Sequence, residues 1–148
     1  MRARFFILLA LLAGLQGCAA LFSASSPALL GTIWQVTELQ GEAFVAPGGQ
    51  RFTLQLQKDG HMRAYAGCDV LTGRFQLKQG WGGEGLLRVG PFDLLERQCA
   101  PEIAQLERKV IHAMEGGSRY VRTEAGTLEL RNPIAVTLIR FRAQSPAP

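Results

Sequence analysis

Phe52-Thr53-Leu54-Gln55-Leu56-Gln57-Lys58-Asp59-Gly60-His61-Met62-Arg63-Ala64-Tyr65-Ala66 decides the fold. Phe52, Leu54 and Leu56 alternate with Thr53, Gln55 and Gln57, the period of a strand that buries one face and wets the other. Asp59-Gly60 then turns the chain, and His61 to Ala66 returns as the partner strand. Asp-Gly between alternating runs is a strong hairpin signal.

The same rhythm extends outward in both directions. Thr32 to Leu39 and Glu42 to Val45 flank Gln40-Gly41. Further strands are expected at Arg74–Leu77, Leu86–Val89, Arg119–Thr123, Thr127–Leu130 and Ala135–Arg142. Turn residues separate them: the glycine-rich stretch 80–85, Ala125-Gly126 and Asn132-Pro133. One segment breaks the pattern. From Pro101 to Glu115 the apolar residues Ile103, Leu106, Val110 and Met114 recur with a period near 3.6. Pro101 suits a first turn, Glu102 complements the helix dipole, and Gly116-Gly117 stops the helix. This reading puts Glu107, Arg108 and Lys109 on the wet face. The expected class is α+β, mainly antiparallel β, with one amphipathic helix (about 101–115) whose apolar side covers the sheet.

The beginning of the chain carries a different signal. Arg2 and Arg4 precede an apolar run from Phe5 to Leu15, which ends in Gln16-Gly17-Cys18. Charge, apolar stretch and small-residue cut are the parts of a secretory signal peptide. The run is about half the length a membrane-crossing helix needs, and Gln16 interrupts it. With cysteine at the cut the segment resembles the lipobox of bacterial lipoproteins. That resemblance implies a diacylated Cys18 as the new N-terminus, and so a membrane attachment through lipid. An ordinary secretory signal with Cys18 merely following the cut is the alternative. Ala19 next to the cysteine is similar to Gram-negative lipoproteins sorted to the outer membrane, which implies a protein facing the periplasm. The expected division is signal peptide 1–17, lipidated N-terminus and Ala/Ser-rich tether 18–30, domain 31–142 and disordered tail 143–148.

Removing residues 1–17 from 148 leaves 131, enough for one domain with its own core. The formal net charge of +4 includes Arg2 and Arg4, so the mature chain carries 14 basic against 12 acidic residues. No basic block exceeds the Arg108-Lys109 pair, and the basic stripe with interleaved aromatics that nucleic acid requires is missing from the sequence. With Cys18 assigned to lipid, Cys68 and Cys99 are an even pair in an oxidising compartment, which favours a disulfide. Closing that loop of about 31 residues contributes roughly 3.5 kcal/mol on chain entropy. Two buried thiols that never meet are the alternative. If joined, they pin the start of the helix to the sheet.

An ordered set of pieces carries a family resemblance. They are Gly31-Thr32-Ile33-Trp34, Asp59-Gly60, Ala66-Gly67-Cys68-Asp69, Thr72-Gly73-Arg74-Phe75, Cys99-Ala100-Pro101 leading to Glu107, Leu128-Glu129-Leu130 and Leu138-Ile139-Arg140-Phe141. Together they resemble the META domain, the HslJ-like family, over roughly residues 31–142. Asp69 stands where relatives usually carry Asn, and Leu95-Glu96-Arg97-Gln98 replaces a Thr-Arg-Met-like run. The resemblance implies an antiparallel, incompletely closed β-barrel with a helix packed on or into it. It also implies an envelope protein, in some relatives heat-induced or linked to antibiotic tolerance. It supplies no established catalytic site.

Candidate chemistry is sparse. Gly80-Trp81-Gly82-Gly83-Glu84-Gly85 matches G-x-G-x-x-G as a string, but a strand follows it rather than the helix whose N-terminus would face a pyrophosphate. It is expected to be a hairpin loop, with Trp81 at its tip as a contact residue or folded over the barrel mouth. His61, Cys68, Cys99 and His112 lack the close paired spacing of a zinc site, so no metal or other cofactor is expected. No nucleophile elbow is present. Asp69 beside Cys68 is an acidic neighbour, whereas a reactive thiolate needs an electropositive setting. Asp69 itself is expected to cap the bend after Cys68, and Trp34 to anchor the core, each with partner contact as its alternative. The expectation is a lipid-anchored, non-catalytic envelope protein that binds a protein partner or an apolar ligand between helix and sheet, supporting stress or antibiotic tolerance. The alternative is an envelope hydrolase using Cys68 or a carboxylate pair drawn from Asp69, Asp93 and Glu96.

Overall fold

A computed structural model describes residues 27–93 and 98–144. The expected signal peptide, Cys18 and most of the expected tether, the Glu96 segment and residues 145–148 lie outside the described residues.

The opening hairpin is β3 (Phe52–Leu56) and β4 (His61–Ala66), paired from Phe52 opposite Ala66 to Leu56 opposite Met62. Phe52, Leu54, Leu56, Met62, Ala64 and Ala66 all point inward and are buried, as the alternation requires. On one flank lies β1 (Ile33–Leu39), with the two-residue β2 (Glu42–Ala43) paired to its far end. On the other flank follow the long β5 (Val70–Gln79) and β6 (Glu84–Asp93), then β7 (Arg119–Arg122), β8 (Thr127–Arg131) and β9 (Thr137–Ala143). All neighbours are antiparallel, and β9 pairs back onto β1, so eight strands run round a barrel with β2 as an added strip. Register shifts between β1 and β9, β5 and β6, and β8 and β9 mark the bulges that bend a sheet into a barrel.

β6 and β7 pair over only part of their length. Only Glu84, Gly85 and Leu86 pair there, although β6 continues to Asp93. The helix α1 (Pro101–Glu115) connects these two strands in the chain and packs against β6, β9 and β4. The barrel is thus incompletely closed, with its helix set at the gap. Glu115 reinforces this by accepting a hydrogen bond from the Phe92 N–H at 3.3 Å. Gly117, just past the helix, touches Leu130: a Cβ there would lie 2.5 Å from the leucine side chain, so only glycine fits.

The interior is a packed core. Trp34, Phe52, Phe141, Met62, Met114 and Leu128 are among its fully buried side chains. Strand ends extend beyond the expected limits. Ala143 pairs with Trp34, and Gln144 donates its N–H to the Ile33 carbonyl, so the expected tail begins inside the sheet. Pro27 to Leu30, expected as the end of the tether, is likewise docked. Leu29 is buried, the Trp34 indole N–H donates to its carbonyl at 3.1 Å, and Arg122 donates to the Pro27 carbonyl at 2.7 Å.

Candidate functional site

Two places gather functional side chains. The first lies where β4 turns into β5. Gly67 takes φ 93°, a left-handed conformation suited to glycine, and a Cβ would meet the Phe52 ring at 2.5 Å. Tyr65 Oη donates to the Gly67 carbonyl at 2.9 Å, and the Asp69 carbonyl accepts the Ala66 N–H at 3.2 Å. The Asp69 backbone thus helps to close the bend. Cys68 and Cys99 form a disulfide with their Cα atoms 6.0 Å apart, tying this bend to the residues just before α1.

Beside the disulfide the structure corrects the sequence reading of α1. Glu107 is not on the wet face; it is 5% exposed, in the buried stripe with Ile103, Val110, Ala113 and Met114. Its position explains this, since 107 is four residues after Ile103 and three before Val110, on the same face as both. Asp69, 6% exposed, is its electrostatic neighbour. Burial, and then the Asp69 charge, raise the Glu107 pKa above the usual carboxylate value. The sequence signal was present in the resemblance, which included Glu107, but helical polarity alone assigned it to solvent.

This cluster does not assemble the proposed hydrolase. Cys68 has its sulfur bonded to Cys99 and so holds no thiolate in this state. His61 is exposed at the start of β4, with Nδ1 3.3 Å from Asp59 Oδ2, and His112 is exposed on the helix. Asp93 is exposed at the end of β6, and Glu96 lies outside the described residues. Cys68, Asp69 and Cys99 bring their ligand atoms within 4.8 Å of one another, but two sulfurs shared in a disulfide cannot serve as thiolate ligands.

The second place is on the outer surface of the sheet. Gly80 to Gly83 form the tip of the β5–β6 hairpin, as the glycine-rich string predicts, with Gly82 and Gly83 in left-handed conformations. Trp81 projects from this tip and is 97% exposed. It borders a shallow cleft of about 340 Å³ whose walls include Lys78, Glu84, Leu86, Arg119 and Arg131. Trp34, the other tryptophan weighed as a contact residue, is sealed in the core, where a partner cannot reach it. A larger hollow of about 810 Å³ lies beside Pro27 and Ile33, with Arg51, Gln55 and Arg142 in its walls. Among the described residues no aromatic side chain lines it.

The profile described as META domain matches residues 27–145. No curated protein matches the chain. Among solved structures, the chain is similar to an NMR structure of a protein from Burkholderia xenovorans, with TM-score 0.61 and 22% identity, covering 80% of this chain and 85% of that one. It is also similar to a crystal structure of a DUF4847 family protein from Bacteroides vulgatus, with TM-score 0.53 and 14% identity, covering 85% of this chain and 97% of that one. At these identities the likeness is one of fold.

Proposed function

The chain belongs to the META domain family, and from that premise we propose that it is a lipid-anchored, non-catalytic envelope protein that works by binding at its outer surface. The observation that carries this is Trp81, almost wholly exposed beside a cleft, on a barrel whose interior is filled by its own side chains. A tryptophan on a loop tip contributes large contact area at little entropy cost, which makes it a natural contact residue. An apolar ligand between helix and sheet, the other expectation, would have to displace side chains of the buried core. Attachment through acylated Cys18, and a part in stress or antibiotic tolerance, belong to the same proposal and rest on the lipobox and the family resemblance.

The test is complementation of a strain lacking the gene, scored as survival under envelope stress. Wild type should restore survival, while Trp81→Ser and Cys18→Ser should not, with all three accumulating equally. Full rescue by Trp81→Ser would refute a working surface at the hairpin tip.

A further inference from the structure

The outer face around Trp81 has an order that the sequence conceals. Lys78 stands opposite Leu86, Leu86 opposite Arg119, and Arg119 opposite Arg131, so one row of paired positions crosses β5 to β8. Adjacent strands lie about 4.8 Å apart, which sets Arg119 and Arg131 side by side, an arrangement that costs stability unless an anion relieves it. Arg131 is relieved by Glu129. Arg88 points outward from the next row, opposite Gln76. Among the described residues, the two clefts lined by Lys78, Arg88 and Arg119 hold one carboxylate, Glu84.

Apolar side chains rise around these cations from two separate loops. Trp81 projects from the β5–β6 tip, and Ile134, 80% exposed, with Val136, 53% exposed, from the β8–β9 turn. Ala135 of that turn and Trp81 border the same cleft. Projecting aromatic and aliphatic knobs among long-stemmed cations suit an interface with acyl chains below and phosphates above.

The path of the chain sets the reach. Ala28 to Leu30 border a cleft with Gly80 and Gly83, and Pro27 is bonded to Arg122, so the chain joins the barrel beside the Trp81 hairpin. Cys18 is nine residues upstream of Pro27, a span of at most about 30 Å when fully extended. An anchor on Cys18 therefore keeps the barrel within about 30 Å of the membrane, close enough for the Trp81 face to reach it. Resting on the lipid attachment proposed above, we propose that this face docks on an anionic phospholipid surface, with Trp81 and Ile134 at headgroup level and Lys78 and Arg119 against lipid phosphates. So close a tether keeps the local lipid concentration high, and weak individual contacts suffice.

The test uses the full acylated protein in vesicles of phosphatidylcholine alone or of phosphatidylcholine mixed with phosphatidylglycerol, with acrylamide quenching read from Trp81. Trp34 is fully buried, so its emission reports that the fold is intact, and Trp81→Phe supplies the blank. Quenching of Trp81 should fall on the order of twofold in the mixed vesicles relative to the neutral ones. Joint Lys78→Glu and Arg119→Glu substitution should abolish that difference. Equal quenching in both vesicles, or shielding that survives the charge reversal, overturns the proposal. Shielding that appears only when envelope proteins are added assigns the face to a protein partner and overturns it too. Intact mass separates the two levels: unacylated protein refutes the anchor and this docking with it, whereas acylated protein with Trp81 accessible refutes the docking alone.

Discussion

Glu129 and Arg140 stand directly opposite each other on β8 and β9, joined by two hydrogen bonds from the guanidinium to Glu129 Oε1 at 3.0 and 2.9 Å. The third nitrogen of Arg140 donates to Glu38, its partner position on β1. The other oxygen of Glu129 accepts from Arg131 at 2.9 and 2.6 Å and from Thr137 at 3.1 Å. One polar lattice thus links β8, β9 and β1 across the seam where the barrel closes. Glu129 is buried under its partners.

This lattice has a definite pH signature. Burial alone would raise the Glu129 pKa, but the hydrogen bonds from Arg131, Arg140 and Thr137 outweigh it and hold the carboxyl below its ordinary value of 4.5. A depressed acid stabilises the fold above the unfolded pKa, and that contribution is lost as pH falls through the folded one. Glu129→Gln should cost about 1–2 kcal/mol at neutral pH, since the arginine ends are partly solvated. The gap to wild type should shrink below pH 4.5. Urea unfolding across that range reads it directly, and a gap independent of pH would contradict the lattice.

Glu107 should behave in the opposite sense. Its pKa is raised by burial and by the Asp69 charge, so the unfolded chain ionises first as pH rises from 4.5. Wild-type stability from this group is complete below 4.5 and declines as pH climbs through the raised folded value. Glu107→Gln keeps the shape without the charge, and should gain on wild type as pH increases. Urea midpoints at acid and neutral pH measure this. A mutant that loses ground toward neutral pH would show the ionised carboxylate to be the favoured form.

The disulfide closes a separation of 31 residues between the β4–β5 bend and the start of α1. Replacing Cys68 and Cys99 together by Ala should lower unfolding stability by about 3.5 kcal/mol, chiefly by freeing the unfolded chain. Denaturant unfolding of the variant beside wild type checks it. An unchanged midpoint would mean that the loop is already constrained in the unfolded state.

Alternation and turn chemistry made most of the barrel legible. Phe52 to Ala66 reads as the hairpin it forms, and Pro101, the 3.6-residue period and Gly116-Gly117 bound the helix correctly. Strand lengths were harder, because β5 and β6 carry polar residues outward well past their apolar cores, as Gln79 and Glu84 do. Residue polarity points Glu107 to solvent, but its helical neighbours Ile103 and Val110 fix its face inward. The cationic row was illegible for a different reason. Lys78, Arg119 and Arg131 are scattered along the chain, and only strand register aligns them.

Lipid attachment stands or falls on where the mature chain begins and what it carries there. Intact mass of the protein extracted from membranes, followed by sequencing of its N-terminal peptide, is the most direct measurement. A chain starting at Cys18 and bearing acyl groups is expected. A chain that starts at another residue, or an unmodified Cys18 in protein recovered from the aqueous fraction, would contradict it.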